Sequence, residues 1–189
     1  MHGLPASCGD GALSLSGTAQ LRGRLLLLAL TAAGIVVADQ IVKEFVLTVL
    51  EPGRFVPLLG SSVGWQLIFN PGAAFGLRLP PVVFPVITVV LIVVVARAME
   101  GTTPKVAVLA QGLVLGGAVG NVIDRLVRPG DGSLFGGYVV DFVAWGSFPR
   151  FNVADAAITV GVVLFILVAL LEDRADRAGR DPRRPEGDA

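Results

Sequence analysis

Four long apolar stretches dominate the chain, separated by segments rich in charge, glycine or proline. They cover residues 25–49, 79–97, 105–126 and 152–171. A helix of about 20 apolar residues crosses the hydrocarbon core of a bilayer. The pattern therefore predicts four transmembrane helices, antiparallel and connected in sequence.

The segment between the first two stretches has a different pattern. Prolines and glycines interrupt residues 51–64, residues 65–69 resemble a short strand, and residues 70–72 (NPG) are a turn signal. We expect a small β-like platform here, lying on the membrane surface. The predicted fold is thus an all-α membrane protein, a four-transmembrane-helix bundle with a small extracytoplasmic β-like platform.

Residues 24–171 form the predicted membrane domain, and a tail lies on either side of it. Residues 1–23 have no periodic apolar face, and residues 172–189 are rich in Arg, Asp and Pro. We predict that both tails are disordered. Four spans put both tails on one side of the membrane, where a modest excess of Arg and Lys predicts that the termini are cytoplasmic.

Composition agrees with a membrane protein and excludes several kinds of chemistry. Charged residues make up 16% of the chain and the mean hydropathy is +0.75, whereas about a quarter of a typical soluble domain is charged. The formal net charge of zero gives no sign of nucleic-acid binding. Cys8 and His2 are the single residues of their types, which excludes an internal disulfide, a multi-cysteine metal site and histidine-based catalysis. We predict no metal and no cofactor, so carboxylates, amides and cations must carry any chemistry.

Polar residues inside or beside the spans fall at one depth. At about 1.5 Å per residue, they lie toward the outer ends of the helices, with Asp141 expected in the outer loop before the fourth span. The set comprises Asp39, Asn70, Asn121, Asp124, Arg125, Asp141 and Asp155. Polar residues that cluster at one depth of a bundle mark a site, so we predict a functional site at the outer membrane face.

Two of these acids favour hydrolysis by a carboxylate pair. Two carboxyls in a poorly solvated place share one proton, so one deprotonates a water while the other donates a hydrogen bond to a carbonyl oxygen. Asp141 and Asp155 lie 14 residues apart with no basic residue within four positions, whereas Arg125 directly follows Asp124. We favour Asp141 with Asp155 as the catalytic pair, but spacing alone leaves pairs that include Asp124 open.

Structural roles compete with catalytic ones at several positions. Asp39 and Lys43 are spaced to meet on one helix face. Asp155 fits an acid favoured by a helix dipole, and Asp141 fits a turn former. Asn152 is expected to cap the fourth helix, which is compatible with a role in the site.

The third span carries Gly112, Gly116 and Gly120. Their spacing puts them on one helix face, which allows a neighbouring helix to approach closely. Packing is a sufficient explanation for these glycines.

Five blocks occur in order along the predicted spans: residues 39–43 (DQIVK), 70–76 (NPGAAFG), 116–125 (GGAVGNVIDR), 139–142 (VVDF) and 151–155 (FNVAD). Together they resemble the lipoprotein signal peptidase family, also called signal peptidase II, over roughly residues 24–171. Each block alone is weak, but five in sequence are highly specific. The chain departs from the family in its long N-terminal extension and its short loop between residues 141 and 155.

The resemblance implies an aspartic endopeptidase of the bacterial inner membrane. Its substrate would be a diacylglyceryl-modified prolipoprotein, cut just before the lipidated cysteine. The catalytic aspartates of the family map onto Asp141 and Asp155, and the substrate-binding or supporting positions map onto Asp39, Lys43, Asn70, Gly72, Asn121, Asp124, Arg125 and Asn152. We also expect membrane lipids as partners, a monomer, and inhibition by globomycin-type cyclic peptides.

Two other functions compete with this interpretation. A small proton-coupled transporter or channel subunit also uses intramembrane acids, but it predicts polar residues through the whole depth of the bilayer. The cytoplasmic half of the predicted spans contains almost none. The second competitor is a non-catalytic assembly factor that packs through the glycine face.

Overall fold

The computed structural model describes residues 10–72, 79–98 and 103–179. The elements follow the order α1 (Asp10–Val49), β1 (Phe55–Leu59), β2 (Val63–Asn70), α2 (Val83–Ala98), α3 (Lys105–Val127), β3 (Val139–Trp145), β4 (Phe148–Phe151) and α4 (Val153–Gly179). The protein is therefore mostly helical and carries a small antiparallel sheet.

Among the described residues, three helices are long and apolar enough to cross a membrane. They are Gly17–Val49 within α1, Lys105–Val127, which is α3, and Val153–Ala175 within α4. Helix α2 has 16 residues, and at about 1.5 Å per residue its length of about 24 Å is less than a hydrocarbon core of about 30 Å. A fourth span stays a prediction.

Helices α1 and α4 reach beyond the predicted ends of their spans. Helix α1 begins at Asp10 and α4 ends at Gly179, so both continue into segments for which we predicted disorder. A helix nucleated in an apolar stretch gains one hydrogen bond for each added residue without forming a new nucleus. It can therefore continue into a flanking sequence that has no apolar face. Residues 1–9 and 180–189 of the predicted tails lie outside the described residues.

Helix α3 lies between α1 and α4 and approaches both closely. A Cβ atom added at Gly112 would lie 2.7 Å from the Thr31 side chain, and one at Gly116 would lie 2.8 Å from that of Ile35. On the other side, a Cβ added at Gly161 of α4 would lie 2.7 Å from the carbonyl oxygen of Ala110. The predicted close packing along the glycine face of α3 is confirmed, and it brings polar residues of three helices within reach of one another.

The sheet has four antiparallel strands in the order β1-β2-β3-β4. In the register of β2 and β3, Ile68 lies opposite Asp141 and Asn70 lies opposite Val139. The expectation that Asp141 lies in a loop was therefore wrong, because this residue belongs to an interior strand. The partner strand β2 is distant in sequence, so the local pattern did not reveal the pairing.

The core beneath the sheet determines the direction in which Asp141 points. Val140 and Phe142 are fully or almost fully buried, and they pack with Val46 of α1 and Leu67 of β2. Successive side chains in a strand point to opposite faces. Asp141, between these two residues, therefore faces away from this core and toward the ends of α3 and α4.

Candidate active site

The residues predicted for the site, from their common depth or from the family resemblance, come together at one end of the helices. Each of them makes a hydrogen bond or an ion pair with another member of the set, which comprises Asp39, Lys43, Asn70, Gly72, Asn121, Asp124, Arg125, Asp141, Asn152 and Asp155. The set draws on α1, β2, α3, β3 and α4. The predicted convergence is confirmed.

One part of the set is an ion cluster around Lys43. Its ammonium group lies 2.7 Å from Asp39 Oδ2 and 2.9 Å from Asp124 Oδ2, and it donates a hydrogen bond of 3.0 Å to Asn121 Oδ1. The side chains of Lys43, Asp39 and Asp124 are all 0% exposed. An ammonium group has three donors, so every donor of this buried cation has an acceptor.

The two acids of this cluster also hold backbone groups beside the other acids. Asp124 Oδ2 accepts a hydrogen bond of 3.0 Å from the N–H of Val140, the neighbour of Asp141. Asp39 Oδ1 accepts one of 2.9 Å from the N–H of Ala154, the neighbour of Asp155. The ion cluster therefore anchors β3 and the first turn of α4.

The arginine beside Asp124 in sequence is not its partner. Arg128 fills that place, with its Nε 2.9 Å from Asp124 Oδ1 and its Nη2 2.9 Å from Glu44 Oε1. Arg125 instead donates hydrogen bonds to the carbonyl oxygens of Gly72 and Gly137. Asp124 is thus in ion pairs, but with Lys43 and Arg128 rather than with the arginine that follows it in sequence. Arg128 follows Asp124 by four residues, so helical spacing carried a signal that pointed to the pair.

Arg125 also contacts an aromatic ring. Its guanidinium carbon lies 3.5 Å from the centre of the Phe84 ring on α2. A guanidinium over a ring face is attracted by the quadrupole of the ring. This contact joins α2 to the end of α3 beside the acids.

Asp141 is held by two amides. Its Oδ1 accepts a hydrogen bond of 2.8 Å from Asn152 Nδ2, and its Oδ2 accepts one of 2.8 Å from Asn70 Nδ2. The residue is 3% exposed. Burial, reinforced by the negative charge of Asp155, raises the pKa of Asp141 to about 7.

Asp155 is held by Asn121 and by the start of α4. Its Oδ1 accepts a hydrogen bond of 2.8 Å from Asn121 Nδ2. Its Oδ2 accepts one of 3.2 Å from the backbone N–H of Asn152, while Asn152 Oδ1 accepts one of 2.9 Å from the backbone N–H of Asp155. This reciprocal pair is a capping box. The prediction that Asn152 caps the fourth helix is confirmed.

Asn152 therefore joins the two acids directly. Its amide nitrogen donates to Asp141, while its amide oxygen and its backbone N–H bind Asp155. Across residues 10–72, 79–98 and 103–179, no Lys or Arg nitrogen lies within 4.0 Å of either carboxylate. The arrangement orients two neighbouring carboxyls without a bound cation to neutralise them.

Both carboxyls line a cavity of about 860 Å³. Its wall is mostly apolar, and the polar side chains on it are Asn70, Thr88, Asn121, Arg125, Asp141, Arg150, Asp155 and Thr159. Our interpretation of the sequence assigned no role to Arg150, because a single arginine near a turn carries no local signal. Within the described part of the chain, no group of three or more His, Cys, Asp or Glu side chains is arranged to hold a metal ion.

Such a pair of carboxyls is suited to general acid–base chemistry on a substrate in the cavity. A raised pKa keeps a carboxyl partly protonated near neutral pH, where a general acid is most effective. Two interacting acids titrate as a pair rather than as independent groups. Two carboxyls arranged in this way can share one proton between a base and an acid.

Comparison with known proteins identifies relatives along most of the chain. Residues 31–171 match a family described as signal peptidase (SPase) II. The lipoprotein signal peptidase of Mycolicibacterium smegmatis is 38% identical over 174 residues, which cover 90% of this chain and 72% of that protein. The lipoprotein signal peptidase of Shouchella clausii is 37% identical, and the match covers 76% of this chain and 92% of that protein.

Solved structures agree with these sequence matches. One, described as a bacterial membrane enzyme, superimposes with a TM-score of 0.67 at 28% identity and covers 86% of this chain and 93% of its own. A second structure of that description has a TM-score of 0.64 at 30% identity, covering 77% of this chain and 93% of its own. The family match over residues 31–171 contains the whole sheet, helices α2 and α3, and all the acids of the site.

Proposed function

Since the chain belongs to the signal peptidase II family, we propose that it removes signal peptides from lipoprotein precursors with Asp141 and Asp155 as its catalytic carboxylates. Membership of the family makes it a membrane peptidase. The aspartic mechanism rests on one observation. Two carboxyls that line the same cavity are joined by Asn152 and contact no cation among the described residues.

The pair acts on a peptide carbonyl bound in the cavity. The ionised carboxylate takes a proton from a water molecule, and the oxygen of that water attacks the carbonyl carbon. The protonated carboxyl donates its proton to the carbonyl oxygen, and a proton then passes to the leaving nitrogen as the C–N bond breaks. The raised pKa of Asp141, caused by burial and by Asp155, supports a shared proton near neutral pH.

The amides around the pair serve this chemistry better than cations would. Asn70, Asn121 and Asn152 donate hydrogen bonds that fix the carboxyl oxygens in place. A cation in direct contact would hold a carboxylate ionised and lower its pKa. The charge of Lys43 lowers the pKa of Asp141 less than burial and Asp155 raise it. Neutral donors orient the acids and still allow one of them to keep a proton.

The substrate in this proposal is a prolipoprotein whose cysteine carries diacylglycerol. Its acyl chains remain in the bilayer while the peptide enters the cavity, and the cut falls just before the modified cysteine. We place the site at the outer face of the bacterial inner membrane with both termini in the cytoplasm. We also propose that α2 crosses the membrane, which brings the number of spans to four. We further propose a monomer that is inhibited by globomycin-type peptides.

The transporter hypothesis is not favoured. It requires polar side chains through the depth of the membrane. Among the described residues, Gln111 is the one buried polar side chain that lies neither in the polar set nor on the cavity wall. A single amide does not make a proton pathway.

Cleavage by the purified protein tests the proposal. A diacylglyceryl-modified prolipoprotein and its unmodified form are incubated with the protein in detergent micelles, and the products are identified by mass spectrometry. We expect one cut, before the modified cysteine, in the modified substrate alone. Absence of cleavage, or a cut at another bond, would refute the proposal, and proton flux in liposomes would then test the transporter alternative.

A further inference from the structure

Hydrogen bonds hold the side chain of Arg150 in place at the wall of the cavity. It lies in β4, two residues before Asn152. Its Nε donates a hydrogen bond of 2.8 Å to Gln66 Oε1 on β2, and its Nη1 donates bonds of 3.0 and 3.4 Å to the carbonyl oxygens of Phe148 and Gly146. Strand β2 and the turn between β3 and β4 therefore fix the guanidinium group from two sides.

This guanidinium has no anionic partner within the part of the chain that the structure describes. Arg54, Arg128 and Arg177 each lie within 4.0 Å of a carboxylate oxygen, but no ion pair of that kind involves Arg150. The hydrogen bonds of Arg150 come from its Nε and Nη1 and leave its Nη2 without an acceptor among the described residues. A fixed cation with a spare donor is prepared to bind an anionic group.

Arg150 and the two catalytic acids, Asp141 and Asp155, border the same cavity. Val143 lies opposite Phe151 in the register of β3 and β4, so the backbone of Arg150 is offset from that of Asp141 by three residues. At about 3.3 Å per residue the offset is about 10 Å. An extended peptide covers that distance in about three residues.

The negative charge of the two acids and the positive charge of Arg150 favour one orientation of an acidic peptide in the cavity. The acids repel a negative side chain near the scissile bond, whereas Arg150 attracts one a few residues away. In the proposed function, residues before the cut belong to an apolar signal segment that lies in the bilayer. An acidic side chain beside Arg150 therefore belongs to the segment that follows the cut.

We propose that Arg150 is a specificity-determining residue that binds an acidic side chain of the substrate two to four residues after the cleaved bond. This inference rests on the proposed function. The fixed guanidinium forms a charge-assisted hydrogen bond with the substrate carboxylate, and the preference is expressed in kcat/KM.

Matched peptide pairs test the inference in uncharged detergent micelles. Diacylglyceryl peptides carry either Asp or Asn, which have the same shape, at the second, third or fourth residue after the cut. We expect wild-type kcat/KM to be about tenfold higher for the Asp form at one of these positions. We expect Arg150→Gln to bring the ratio to about one, Arg150→Lys to leave an intermediate ratio, and Arg150→Glu to invert it.

A second arginine of the sheet region provides the control. Arg54 pairs with Glu51, its side chain is 67% exposed, and it does not line the cavity. Arg54→Gln should keep the wild-type ratio. Equal loss of both peptides in Arg150→Gln, with the ratio preserved, would show that Arg150 only supports the hairpin and would overturn the inference.

Two further results separate the remaining explanations. If Arg150→Gln slows both peptides only in vesicles that contain phosphatidylglycerol, the residue binds a lipid headgroup and the inference is wrong. If the wild-type protein cleaves both peptides of every pair equally, the inference fails while the proposed function stands. Cleavage of neither peptide would overturn both.

Discussion

Two groups of buried or half-buried carboxylates lie side by side in this protein, and different donors hold them. Asp39 and Asp124 bind the ammonium group of Lys43 at 2.7 and 2.9 Å. Asp141 and Asp155 accept hydrogen bonds from amide groups of side chain and backbone. A cation stabilises a carboxylate in its charged form, whereas an amide orients it and leaves its proton free to move. The first group is therefore suited to stabilising the fold, and the second is suited to acid–base catalysis.

One residue connects the two groups. Asn121 Oδ1 accepts hydrogen bonds from Lys43 and from Asn152, and Asn121 Nδ2 donates to Asp155. Since Lys43 can only donate, it fixes which end of the Asn121 amide faces the acid. The ion cluster thus orients the amides of the pair without touching its carboxylates.

The largest effect predicted from this comparison is on activity. Asp141→Asn and Asp155→Asn should each lower kcat by at least about a thousandfold, because neither amide can exchange the shared proton. The fold should survive, because Asn has the same shape and removes a charge that burial disfavours. Cleavage of the modified prolipoprotein and thermal unfolding are measured on the same preparations. Full activity in either variant would contradict the assignment.

The next effect is on stability, in the ion cluster. Lys43→Met leaves Asp39 buried without a cation and leaves Asp124 with Arg128 alone. We expect it to lower the free energy of unfolding by about 3–5 kcal/mol. Lys105→Met, at an exposed position at the start of α3, should change it by less than about 0.5 kcal/mol. Chemical unfolding in detergent micelles measures both variants.

Asp124 belongs to the ion cluster, but the sequence also left it open as a member of the catalytic pair. Asp124→Asn keeps the pair of Lys43 with Asp39 and should cause instability or a partial loss of activity. A complete loss with an intact fold would bring Asp124 into the catalytic pair and would undo the division between the groups.

The pH dependence of stability also distinguishes the groups. The pKa of Asp141 is raised by burial and by Asp155 from 3.8 to about 7, so between these values the folded state holds a proton that the unfolded state has lost. The contribution of this proton to the free energy of unfolding is complete below about pH 4. It is lost as the pH rises through about 7, by at most about 4 kcal/mol. Unfolding between pH 4 and 8 should show this decline in the wild type and a flatter profile in Asp141→Asn. Superimposable profiles would contradict the raised pKa.

Local sequence patterns predicted the features that depend on local spacing. The pair of Asp39 with Lys43 follows from four-residue helical spacing, and the cap at Asn152 follows from its place before an apolar helix. The convergence of the polar residues followed from their common depth along the spans. The catalytic assignment remains a prediction from the sequence that the geometry supports.

Features that depend on distant pairings were not predicted. Strand β3 is defined by its register with β2, and Asp141 faces the cavity because Val140 and Phe142 pack on α1. No property of residues 139–145 alone encodes that partner. The position of Arg150 at the cavity likewise depends on the turn between β3 and β4 and on Gln66 of another strand.

The smallest predicted effect concerns a buried polar group that belongs to neither set of acids. Gln111 on α3 is 4% exposed, and neither its Oε1 nor its Nε2 has a hydrogen-bond partner among the described residues. Gln111→Leu should raise the free energy of unfolding by about 1 kcal/mol, because it removes an unsatisfied amide at similar volume. Gln66→Leu is the matched change at an amide with partners, since Gln66 bonds both Gly53 and Arg150, and it should lower stability. If Gln111→Leu also lowered stability, the Gln111 amide would have a partner outside the described residues, and it would belong with the buried polar groups whose donors stabilise the fold.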